Sequence, residues 1–169
     1  PTFTAVTDDM TTYGVEFERV YLRRENNYAF DADELIERIE GNPGAFVYID
    51  NPNNPTGQLA EPALVEALLR RCEAVGAVLA VDECFLDFLP EGEGLSARHL
   101  LKNSKKLIIL KAFTKLYGMA GVRLGYCLCS DTELLARMRA AGQPWAVSSL
   151  AQAAGIAALD ETEYVAKVR

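Results

Sequence analysis

Four short segments that are apolar along most of their length constrain the fold of this chain more than any other feature. They are AFVYID (45–50), AVLAVD (77–82), KLIIL (106–110) and RLGYCLC (123–129). A strand with one wet face alternates apolar and polar residues, whereas a continuous apolar run belongs to a strand covered on both faces. Between these runs lie segments with helical spacing. DADELIERIE (31–40) has an acidic first turn and apolar Leu35, Ile36 and Ile39, the arrangement of an amphipathic helix. EPALVEALLRRCEAVG (61–76) has Pro62 where a first turn accepts proline and Gly76 where a helix stops. Residues 131–140 and 148–159 also read as helices, as does 4–13, and VEFERVYL (15–22) alternates like a strand. Strands separated by helices predict an α/β fold, a mostly parallel sheet with helices on both faces.

With 169 residues, 50% hydrophobic and 24% charged, the chain is large enough for one domain with a sizeable core. Lys and Arg total 17 against 24 Asp and Glu, a net charge of -7 without a basic run. That balance gives no electrostatic basis for nucleic acid or an anionic membrane as partner. Apolar stretches of membrane-spanning length and a signal-peptide pattern are both missing from the sequence, so a cytoplasmic protein is expected. Cys72, Cys84, Cys127 and Cys129 are scattered through apolar runs, and His99 is the single histidine. No metal site is expected from so few conventional ligands; the cysteines read as small core residues and His99 as a loop or helix-end residue. The sequence starts at Pro1 and stops in the helical-looking ETEYVAKVR, which reads as a piece of a longer protein.

Ligands of parallel sheets collect at the carboxyl ends of the strands. NPNNPTG (51–57) follows the first apolar run directly and is longer than a simple turn requires. Asp82 ends the second run, and Lys115 and Arg123 lie in or beside the loop after KLIIL. Lys115 stands among aromatic and small residues, where partial desolvation favours a neutral, nucleophilic amine. Arg123, eight residues on, offers a planar fork for a phosphate. A carboxylate can pair with a protonated ring nitrogen, and an asparagine amide can donate to a phenolate oxygen. Lysine, arginine, acid and amide together match the functional groups of pyridoxal 5'-phosphate (PLP).

NPNNPTG, VDECFLDF and KAFTKLYGMAGVRLGY, with PTF at the start and QPWAVSSLAQAAG near the end, resemble the fold-type I PLP-dependent enzymes. The specific likeness is to the class I/II aminotransferases, nearest to their histidinol-phosphate aminotransferase and threonine-phosphate decarboxylase branch. The resemblance implies that Lys115 forms the Schiff base and shuttles the alpha proton. It implies that Asp82 holds the ring nitrogen protonated, Asn54 hydrogen-bonds the phenolic oxygen and Arg123 grips the phosphate. Phe3 falls where the family stacks an aromatic ring on the cofactor; a core position is its alternative. It further implies amino acid and 2-oxo acid substrates and a homodimer. Residues 1–169 would be a fragment of the PLP-binding large domain, with an N-terminal segment and a C-terminal small domain outside it and little activity on its own.

Two positions depart from the family pattern. Ala112 stands where a hydroxyl residue commonly binds the phosphate, leaving Thr114 as the candidate replacement. Phe85 stands where a tyrosine often donates to the phenolic oxygen. Two lost hydrogen bonds weaken cofactor binding by roughly 1–3 kcal/mol if nothing replaces them. Tyr117 and Trp145 read as packing residues. The leading function is an aminotransferase. A threonine-phosphate decarboxylase is the alternative, and a non-catalytic domain of the same fold the third possibility.

Overall fold

The computed structural model describes residues 2–169. Its elements in chain order are α1 (Thr4–Thr12), α2 (Ala32–Gly41), β1 (Phe46–Asp50), α3 (Pro62–Val75), β2 (Val78–Asp82) and the short α4 (Gly92–Leu95). They are followed by β3 (Leu107–Ala112), β4 (Gly125–Cys129), α5 (Thr132–Ala141), α6 (Ser149–Leu159) and α7 (Thr162–Val168). The strands form one sheet in the order β1-β2-β3-β4. β1, β2 and β3 are parallel, and β4 returns antiparallel along β3.

The helices start and stop where local chemistry dictates. Asp31 caps α2 by accepting the Glu34 N–H at 3.1 Å, satisfying a donor that the first turn leaves open. Pro62 opens α3, where its missing N–H costs nothing, and Gly76 ends it at φ 75°, a conformation that glycine adopts without strain. Asp131 and Ser148 cap α5 and α6 in the same manner as Asp31.

Helices α2 and α3 lie against each other and over one face of the sheet. Leu35 and Ile39 from α2 and Val65, Leu68, Leu69 and Cys72 from α3 join Ile49, Leu79, Val81, Leu107 and Ile109 in one core cluster. On the opposite face Ala80 and Ile108 are also buried, whereas Phe46 at the β1 edge is 55% exposed. Both faces of the central strands are therefore shielded, which is why their sequences do not alternate.

Several expectations need correction. Residues 15–22 form no strand: alternation describes a pleated segment, but a strand also needs a neighbour for its backbone groups, and no ladder joins it among the described residues. Val15, Phe17 and Tyr21 are exposed, and only Val20 leans on the core. β4 begins at Gly125, two residues later than expected, and is a partly exposed edge strand rather than a buried one. Trp145 is 96% exposed instead of packed, while Tyr117 stacks on Phe113 with centroids 5.1 Å apart. Of the cysteines only Cys72 is fully buried. His99 lies in a 3-10 segment with Nδ1 3.0 Å from the Ser96 carbonyl oxygen.

Candidate active site

Strand register gathers the polar residues on one edge. Asp50 pairs with Asp82 at the carboxyl ends of β1 and β2, and Asp82 pairs with Leu110 of β3. Because β4 runs back, its first residue, Gly125, lies opposite Ala112, the last of β3. The 51–57 turn, Asp82 and the 113–124 loop all emerge there, carrying Asn54, Lys115 and Arg123 to the same edge.

The seven-residue turn is held from inside. The Asn51 N–H donates to the Asp82 carbonyl oxygen at 2.8 Å. Its buried side chain accepts the Ala60 N–H at 2.8 Å and donates back to the Ala60 carbonyl at 3.4 Å. Asn53 Oδ1 accepts the Thr56 hydroxyl at 2.7 Å, and Gly57 closes the turn at φ 73°. The peptide bonds before Pro52 and Pro55 are cis. With Asn51 and Asn53 occupied, the half-buried Asn54 is the asparagine whose amide makes no hydrogen bond among the described residues.

Asp82 is fixed at both oxygens. Oδ1 accepts the Cys84 N–H at 2.9 Å, and Oδ2 lies 2.8 Å from the Tyr48 hydroxyl. Burial and then the hydrogen bond to Asp82 push the Cys84 thiol up, so it stays protonated. Lys115 Nζ sits 5.0 Å from the centroid of Phe85. The ring that cannot donate a hydrogen bond thus presents its electron-rich face to the amine.

Arg123 adopts the left-handed conformation at φ 54° and donates from a guanidinium nitrogen to the Ala120 carbonyl at 3.2 Å. Such a backbone conformation costs an arginine of order 1–3 kcal/mol. Phe3 is 45% exposed beside the edge rather than in the core, and its N–H donates to Asp50 Oδ2 at 3.2 Å. Thr114 is half-buried, with its hydroxyl unbonded among the described residues.

Four residues around the edge escaped the sequence reading. Tyr48 and Asp50 stand at alternate positions of β1 and so share the Asp82 face; that shared parity was their available signal. Glu83 is fully buried and accepts the Ser96 hydroxyl at 2.7 Å and the Ala97 N–H at 2.9 Å. Lys111 bridges Glu83 at 3.2 Å and Asp87 at 2.8 Å. Burial alone would lower the Lys111 ammonium, but Asp87 and Glu83 outweigh it and hold the group above its ordinary value. Nothing in the order of the residues foretold this pair of bridges.

Known proteins match this chain along most of its length. A model of the family described as aminotransferase class I and II matches residues 1–169. The chain belongs to the class I and II aminotransferase family. It is 35% identical over 151 residues to the threonine-phosphate decarboxylase of Salmonella typhimurium, covering 89% of this chain and 40% of that protein. Among solved structures it superposes on the histidinol-phosphate aminotransferase of Clostridium acetobutylicum with a TM-score of 0.89 at 29% identity, over 99% of this chain and 49% of that one. The histidinol-phosphate aminotransferase of Sinorhizobium meliloti, solved in complex with pyridoxal-5'-phosphate, matches with a TM-score of 0.79 at 25% identity, over 99% of this chain and 44% of that one. The chain thus spans about two fifths to one half of the proteins it matches, and this family's fold accounts for the mostly parallel sheet.

Proposed function

We propose that the protein is a PLP-dependent aminotransferase moving an amino group between an amino acid and a 2-oxo acid. The observation that carries this is the placement of Lys115, Asp82, Asn54 and Arg123 on one sheet edge, with Lys115 free of any ion pair among the described residues. The donor set suits the cofactor: an amine for its aldehyde, a carboxylate for its ring nitrogen, an unused amide for its phenolic oxygen and a guanidinium for its phosphate. When bound, PLP supplies an aldehyde that condenses with an amine and a ring that withdraws electrons from the substrate alpha carbon.

In this reading Lys115 Nζ takes the alpha proton and returns it, and the Phe85 face beside it keeps water away. Asp82 keeps a proton on the ring nitrogen, its carboxylate immobilised by the Cys84 N–H and Tyr48. Asn54, held on a turn whose other asparagines are engaged internally, orients the phenolic side. Arg123 anchors the phosphate, with the Thr114 hydroxyl near enough in sequence to assist where Ala112 offers none. Phe3, tethered to Asp50 through its N–H, is the aromatic side chain that would lie against the cofactor. The same site serves a decarboxylase if the substrate carboxylate, not the alpha hydrogen, is held perpendicular to the ring. The 35% identity to a threonine-phosphate decarboxylase keeps that second reading in view.

The homodimer and the cytoplasm belong to the same proposal. Ile156 and Leu159, three residues apart and so on one side of α6, are 70% and 62% exposed, an apolar face suited to contact with a second copy. Among the described residues no helix is long and apolar enough to cross a membrane.

The test adds PLP to the full chain and reduces it with borohydride. The expected result is absorbance near the visible edge, abolished by reduction, with the cofactor mass mapped to Lys115. An adduct on another lysine, or none, would refute the assignment. Product analysis then separates a keto acid from carbon dioxide.

A further inference from the structure

Tyr48 poses a proton-counting problem. Its hydroxyl oxygen lies 2.7 Å from Asp50 Oδ1 and 2.8 Å from Asp82 Oδ2. A phenol has one proton and donates one hydrogen bond. If both carboxylates were ionised, one of these contacts would set lone pairs against lone pairs in a largely buried place. One further proton removes the conflict. Asp50 is 4% exposed, and its Oδ2 accepts the Thr2 hydroxyl at 2.6 Å and the Phe3 N–H at 3.2 Å, as the carbonyl oxygen of an acid can, which leaves Oδ1 as the place for the proton. Oδ1–H can then donate to Tyr48, and Tyr48 to Asp82, whose other oxygen accepts the Cys84 N–H. Every polar atom of the chain is satisfied in that arrangement.

We propose that Tyr48 is a positioning residue for Asp82, backed by a protonated Asp50, in a directed chain Asp50–Tyr48–Asp82 that fixes Asp82 as an oriented carboxylate. The chain is carried by the strands themselves. Tyr48 and Asp50 are two apart on β1, and Asp82 pairs with Asp50 in register, so all three side chains leave the same face. Other groups also face the trio. The Cys84 thiol hydrogen-bonds Asp82 and stays protonated, and Lys111 and Lys115 act on that thiol from β3 and its loop. Thr2 and Phe3 contribute neutral donors from the chain before α1. No ion pair joins Asp50 to a cation among the described residues. The role of Asp82 toward a ring nitrogen rests on the proposed function; the proton count does not.

The test has two arms. In the first, the full chain without cofactor carries carbon-13 labelled aspartate, and carboxyl resonances are followed against pH. One aspartate is expected to keep the chemical shift of a protonated acid at neutral pH and to vanish in Asp50→Asn. Finding every aspartate ionised would overturn the extra proton, whether or not the protein binds PLP. In the second, PLP is added to wild type, Tyr48→Phe, Asp50→Ala and Asp50→Asn. Loss of a hydrogen bond to a carboxylate is expected to lower kcat about tenfold in Tyr48→Phe, with KM little changed. The pH midpoint of the bound cofactor's absorbance is expected to move by about one unit in the same variant. Asp50→Ala should follow it, and Asp50→Asn, whose amide donates where the acid does, should recover most of the loss. Wild-type kcat and midpoint in a folded Tyr48→Phe that still loads PLP on Lys115 would overturn the positioning role and leave the cofactor assignment standing. Failure of all four proteins to load PLP would remove the cofactor assignment, and the carboxyl resonances alone would then decide the chain.

Discussion

Asp82 is where local structure and chemistry meet most directly in this chain. Its position follows from the sheet, since the last residue of β2 lies beside the last polar residue of β1. Its orientation follows from two hydrogen bonds, one to a backbone N–H two residues on and one to a phenol on the next strand. Asp82→Ala removes the group that would keep a ring nitrogen protonated but none of the proposed phosphate, amide or amine contacts. The variant is expected to bind PLP and to lose most of its turnover, at least about a hundredfold. Spectral titration with PLP beside steady-state rates checks this, and near-normal turnover would show that Asp82 has another task. Lys115, Asp82, Asn54 and Arg123 were legible as candidates because Asp82 closes an apolar run and the other three lie in the loops beside such runs. Tyr48 and Asp50 were not, because a tyrosine and an aspartate closing an apolar run look like ordinary strand residues until a neighbouring strand supplies Asp82.

Among the elements, β3 and the segment after β2 are tied by charge rather than by apolar packing. Lys111 projects from β3 with its side chain 9% exposed and meets Glu83, which is fully buried, and Asp87, which is 36% exposed. Glu83 in turn holds the Ser96 hydroxyl and the Ala97 N–H, so one buried ion pair fixes β3 and the 83–97 segment together. Removing one member of a buried pair leaves an uncompensated charge, which costs about 3–5 kcal/mol. Lys111→Met is therefore expected to destabilise the fold by about 3 kcal/mol, read as the shift in urea midpoint at constant slope. Double replacement Lys111→Met with Glu83→Gln should recover part of that loss. A single variant as stable as wild type would show that Glu83 finds its partners elsewhere. The helices and the three parallel strands were readable because their periodicity and caps are local. The 15–22 stretch and the antiparallel course of β4 were not, because alternation says nothing about which neighbour a strand will find.

For the whole molecule, two partly buried groups, Tyr48 and Lys111, are expected to weaken the fold at alkaline pH. Burial above all pushes the Tyr48 phenol above its ordinary value, and Asp87 and Glu83 raise Lys111. Both groups favour their protonated forms in the folded state. Their contribution is complete below about pH 10, where the unfolded phenol and ammonium are still protonated, and is lost as pH rises above it. Thermal unfolding of the full chain should show a constant Tm up to about pH 9.5 and a fall beyond, steeper in wild type than in Tyr48→Phe. Equal slopes in the two proteins would mean that Tyr48 ionises as readily folded as unfolded.

Sequence alone determined the local quantities: that the central apolar runs 77–82 and 106–110 are covered strands, where Asp31, Pro62 and Gly76 start or stop helices, and which residue types could perform PLP chemistry. These depend on neighbours a few positions away, and the chain states them directly. Tertiary structure decided what depends on register. It set Asp50 beside Asp82 with Tyr48 between them, turned β4 back so that Gly125 meets Ala112, and laid the Phe85 ring against Lys115. It also left Phe3 at the site's edge instead of in the core. A contact between residues 34 or 30 positions apart in sequence, such as Tyr48 with Asp82 or Lys115 with Phe85, has no local signature, because only the pairing of strands fixes the distance between them.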